Sequence, residues 1–167
     1  MIVILIAAIV AAAAIGLFIY FQRQRTNQED LSPYSINSDT GNPRVLIATQ
    51  KSEYKDSVMD EISRHYKGGD IYISVIDVAQ LSGVQPAEWD KIVIFSAIKV
   101  YQFHPAVVKF LDRQSGSYSG RIFMYNTSEG SNMRYGDVDA VTSASINPSL
   151  GSAGIIEAID NALGLRK

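Results

Sequence analysis

The sequence predicts an α/β fold: a doubly wound, five-stranded parallel sheet in the order 2-1-3-4-5, preceded by a membrane-spanning helix. Three observations predict it. Ile92 to Phe95 places four β-branched or aromatic residues in a row, as suits a strand covered on both faces of a parallel sheet. Strand-like runs then alternate with helical periodicities from Pro43 onward, which implies crossover connections. Met1 to Phe21 carries no charge and, at about 1.5 Å per residue, reaches roughly the 30 Å of a bilayer's hydrocarbon core.

That first stretch reads as a retained anchor, because a cleaved signal peptide needs a basic leader and a shorter apolar core. Ala11 to Ala14 and Gly16 gather small side chains that let helices approach closely in lipid. Arg23 and Arg25 follow the anchor, and the positive-inside rule then expects the remaining chain in the cytoplasm. Residues 22–42 are polar, contain Pro33 and Gly41, show no periodicity, and read as a tether. The domain is expected over residues 43–167.

Within it, Val45 to Ala48 is the first strand and Asp56 to Tyr66 the first helix, with Val58, Met59, Ile62 and Tyr66 on one face and Gly68-Gly69 as its stop. Ile71 to Ile76 is a second strand, and Asp77 to Glu88 holds at most a short helix. After the central strand, Pro105 opens a helix, since a missing N–H costs nothing in the first turn; Val107, Phe110 and Leu111 share one face. Arg121 to Tyr125 is a fourth strand, Val138 to Val141 a short fifth, and Gly154 to Leu163 the last helix.

Composition narrows the chemistry. The 167 residues hold no cysteine, which removes disulfides, thiolate catalysis and zinc–thiolate sites, and only two histidines, too few for a histidine-based metal cluster. A net charge of −2 gives no electrostatic reason to expect nucleic acid as a partner. In open α/β sheets ligands bind beyond the carboxyl ends of the strands, so the loop from Ser96 to His104 is the first place to look.

That loop, the helix running to Leu111, and the preceding runs Ile76 to Leu81 and Trp89 to Ile94 resemble the flavodoxin superfamily, most closely the flavodoxin-like, menaquinone-dependent protoporphyrinogen dehydrogenases. The similarity runs from about Arg44 to about Tyr125. It implies a flavodoxin-like fold binding FMN, with a quinone or a membrane redox protein as electron partner. By the resemblance, Thr49, Lys51, Ser52 and Lys55 hold the flavin phosphate, Ser96, Ala97, Ile98, Lys99, Val100 and Tyr101 flank the ring, and Asn126, Thr127 and Ser128 touch its edge. Lys99 and His104 match a basic residue and a histidine of the dehydrogenase subgroup.

This sequence departs from the family at two of those contacts. Backbone N–H groups must converge on a phosphate at a helix N-terminus, and glycine lets them; here the family's glycine is matched by Glu53 and its last threonine by Lys55. Val100 and Tyr101 stand where the family has an aromatic residue and a glycine. A second resemblance lies at Asp139 to Ser145, similar to the motif at which a transferase attaches FMN to a hydroxyl; Ser145 is the matching acceptor, with Ser143 where glycine is usual. Two functions are therefore expected in contest: a membrane-anchored FMN redox module, or a binding and assembly subunit whose fold has lost its flavin. The bland reading of His104 is a polar residue opening a helix.

Overall fold

The computed structural model describes residues 9–20, 31–40, 43–99, 102–114, 120–127, 139–143 and 148–165. Residues 9–20 form helix α1, whose large apolar side chains, Ile9 to Tyr20, are exposed. Among the described residues no helix is long and apolar enough to cross a membrane, and residues 1–8 and 21 of the expected span lie outside them.

The domain is α/β. Its strands are β1 (Tyr34–Ile36), β2 (Arg44–Thr49), β3 (Tyr72–Asp77), β4 (Lys91–Ala97), β5 (Ile122–Thr127) and β6 (Asp139–Ser143). Its helices are α2 (Glu53–Tyr66), α3 (Pro105–Arg113) and α4 (Pro148–Leu163). Asp77 to Glu88, expected to hold at most a short helix, contains two 3-10 turns, Val78–Gly83 and Pro86–Glu88.

The sheet differs from the expected one by an added edge strand, while its five parallel strands, β3-β2-β4-β5-β6, keep the expected 2-1-3-4-5 order. It has six strands in the order β1-β3-β2-β4-β5-β6, and β1 is antiparallel where every other pair is parallel. β1 lies inside the stretch expected to be a tether, so the domain begins before Pro43. Two observations explain why it is held. Ile36 is buried in the core, although Tyr34 and Ser35 are exposed. Asn37 then turns the chain at φ +64°, a left-handed conformation that asparagine tolerates. Its amide donates to the Tyr66 and Ile71 carbonyls, each at 2.8 Å, and its Oδ1 accepts from the Gly68 N–H at 2.8 Å. One side chain thus ties β1 to the end of α2 and the start of β3.

Alternation along the parallel strands builds two cores, because both faces are covered. Val45, Ile47, Ile73, Val75, Val93 and Phe95 face α2 and α4. Leu46, Ala48, Ile92, Ile94, Ile122 and Met124 face α3 and the first 3-10 turn, where Val107, Phe110 and Leu81 meet them. β4 is buried from Lys91 to Ser96, as a central strand should be. Lys91 is tolerated there because its ammonium donates to the Gly120 carbonyl at 2.8 Å.

Candidate functional site

After β2 the chain pairs β3 on one side of it and later β4 on the other. The crevice between the carboxyl ends of β2 and β4 is therefore the place where such a sheet receives a ligand. Residues 50–52, 98–99 and 102–104 and the first turn of α2 surround it.

The loop after β2 is spent on itself. Thr49 is buried at the end of β2. Gln50, also buried, crosses the crevice: its Oε1 accepts the Ala97 N–H at 2.9 Å, so a side chain joins the two strand ends. Lys51 is exposed in the turn. Ser52 caps α2, its Oγ accepting the Lys55 N–H at 3.3 Å, which occupies one of the donors an anion would use at that helix end. Glu53 is exposed in the first turn.

Lys55 is turned inward. Only 3 % of it is exposed, and its ammonium lies 5.6 Å from the centre of the Phe95 ring. Burial, reinforced by the nearby Lys99 and opposed by Asp56, pulls its pKa down to about 8. After β4, Lys99 and Gln102 exchange both backbone hydrogen bonds, at 3.1 and 3.0 Å. Ile98 is buried and donates its N–H to the Thr127 carbonyl at 2.8 Å. His104 caps α3: its Nδ1 accepts the Ala106 N–H at 3.2 Å, which requires that nitrogen to be unprotonated. Burial first and Lys99 next lower its pKa, while Asp77 acts the other way. The bland reading of His104, a helix-opening polar residue, describes this geometry.

Ser96 and Asn126 do not face the crevice. Strand alternation sets both on the α3 side of the sheet, fully buried, with the Ser96 hydroxyl donating to Asn126 Oδ1 at 2.8 Å. The Asn126 amide nitrogen is buried with no hydrogen-bond partner. Val100, Tyr101, Ser128 and Ser145 lie outside the described residues; Asp139 opens β6. Gln50 is the functional-edge residue that sequence reasoning missed, since a polar residue after a strand reads as ordinary loop.

The phosphate end of an FMN site can be tested on these side chains, and it does not fit. Ser52 is engaged as a cap, Lys55 is folded under the helix onto Phe95, and Glu53 adds a negative charge to the first turn of α2, the helix end an anion would approach. The cleft lined by Gln50, Ala97, Lys99, Phe103 and His104 has room for about one water molecule. No family model matches the chain, and comparison with curated proteins gives no match.

Proposed function

We propose that this chain is a flavodoxin-like α/β module whose cofactor edge has become a packed surface, and that it serves as a binding or assembly subunit beside a membrane protein. The observation that carries this reading is the Gln50 carboxamide bridging to the Ala97 N–H across the β2–β4 crevice. A flavin would have to break that bond and displace the Ser52 cap as well. The apolar stretch up to Phe21 is the anchor, and Arg23 and Arg25 set the domain on the cytoplasmic side.

A second reading keeps the flavin: a membrane-anchored redox module exchanging electrons with a quinone or membrane redox protein. What favours it is Lys55, a buried cation near Lys99 at the start of α2, where a phosphate would relieve the repulsion between the two lysines. The visible absorption spectrum of the full chain purified from membranes separates the readings. The assembly-subunit reading expects no flavin band. A stoichiometric band would favour the redox module, and flavin that persists through denaturation in the wild type but not in Ser145→Ala would assign Ser145 as its attachment point.

A further inference from the structure

Too small for a flavin, the cleft between the ends of β2 and β4 still keeps a recess the size of one water molecule, lined by Gln50, Ala97, Lys99, Phe103 and His104. Its side chains offer donors and almost no acceptors. Gln50 has its Oε1 committed to the Ala97 N–H, which fixes the carboxamide's orientation and leaves Nε2 as a donor. His104 accepts through Nδ1, so the hydrogen of its neutral ring is on Nε2. Lys99 lines the same recess, and its charge is felt by both His104 and Lys55.

Two of these donors are deeply buried. Gln50 is 4 % exposed and Lys55 3 %. Among the described residues, neither Gln50 Nε2 nor Lys55 Nζ has a hydrogen-bond partner, and Lys55 has the Phe95 ring beside it. The neighbouring acids do not fill the need. Asp56 acts on Lys55 less strongly than Lys99 does, and Glu53 is exposed. Asp77 acts on His104, but its Oδ1 already accepts the Ala79 N–H and its Oδ2 the Leu31 N–H. Buried donors without acceptors cost free energy that an incoming acceptor returns.

We propose that this recess receives a carboxylate of the partner protein, the tip of an aspartate or glutamate in an acidic segment, with one oxygen entering between Gln50 and His104 and its charge offset by Lys99 and Lys55. This rests on the assembly-subunit reading given above. A space for one oxygen suits the end of a side chain, where a phosphate with a flavin behind it is excluded. The whole chain carries a net charge of −2, so it does not attract acidic segments in general; the attraction is local to this edge.

The full-length chain in non-ionic detergent is titrated with a fluorescein-labelled hexaglutamate peptide at neutral pH and low salt, with labelled hexaglutamine as the control and anisotropy as the readout. Saturable binding is expected for hexaglutamate alone. Lys99→Gln and Lys55→Met are each expected to weaken it by about ten-fold or more, while Lys109→Gln, an exposed lysine on α3, leaves it unchanged. Lys99→Gln decides the matter if Lys55→Met does not fold. Absence of saturable binding, equal weakening by all three lysine variants, or displacement of the peptide by an equal concentration of inorganic phosphate overturns the proposal. The absorption spectrum of the same preparation separates the two levels. A stoichiometric flavin band counts against the assembly-subunit reading, whereas a flavin-free chain that ignores hexaglutamate overturns the carboxylate site alone.

Discussion

Burying the Lys55 ammonium, with the neighbouring Asp56 offsetting only part of the cost, works against folding at neutral pH. Its pKa falls from the usual 10.5 to about 8, so between those values the unfolded chain holds a proton that the folded one has released. Stability must therefore rise with pH through that window, and the burial penalty is fully present below about 8. The shift corresponds to at most about 3 kcal/mol. Lys55→Met keeps the packing on Phe95 and removes the charge, so it is expected to stabilise the protein by about 1–3 kcal/mol at pH 7. It should also flatten the rise between pH 8 and 10, as read by denaturant unfolding at a series of pH values. Destabilisation by Lys55→Met would mean that the ammonium has an anionic partner in the folded protein.

At the scale of elements, α4 is the helix whose seating depends most on small residues. A methyl group built on Gly151 would stand 2.6 Å from the Tyr54 hydroxyl and 3.0 Å from Val58, and one on Gly154 would stand 3.3 Å from the Tyr125 ring. Tyr54 packs edge-on to Phe95 and Phe95 edge-on to Tyr125, so the glycines admit one continuous aromatic layer between α2, the sheet and α4. The Tyr54 hydroxyl makes no hydrogen bond of good geometry, and burial together with the adjacent Tyr125 phenol raises its pKa. Gly151→Ala therefore forces α2 and α4 apart. It is expected to cost about 1–3 kcal/mol in thermal or chemical unfolding, and Tyr54→Phe in the same chain should recover part of that loss by removing the clashing oxygen. No recovery would contradict the packing described here.

The elements also show what a sequence discloses. Helix α2 was legible because Val58, Met59, Ile62 and Tyr66 recur at helical spacing, and β4 because its apolar run is uninterrupted. β1 was not, for physical reasons: it is three residues long, two of them are exposed, and the core contact of the third, Ile36, is secured by the left-handed Asn37, whose carbonyl partners are 29 and 34 residues away. Ser96 and Asn126 read as loop residues beside a flavin ring because the apolar runs end at Phe95 and Tyr125; β4 and β5 run on to Ala97 and Thr127, and period-two alternation with Ile94 and Met124 sets both on the α3 face. Gln50 carried no such signal, because its acceptor role depends on a strand 47 residues further along.

At the scale of the whole molecule, three features act together: an apolar N-terminal stretch, a connection that reaches the sheet at its carboxyl edge, and a crevice on that edge closed by Gln50, Ser52 and Lys55. Under the proposed assembly role, a crevice closed in this way suits docking to a partner protein more than holding a flavin between chain and solvent. Titrating FMN into the detergent-solubilised full chain, with flavin fluorescence as the readout, tests this most directly, with Glu53→Gly measured beside the wild type. The expected result is no saturable quenching in the wild type, with any binding confined to the variant, where the repelling carboxylate is gone. Saturable quenching by the wild type, abolished by Lys55→Met, would contradict a closed edge and return the chain to flavin-dependent electron transfer.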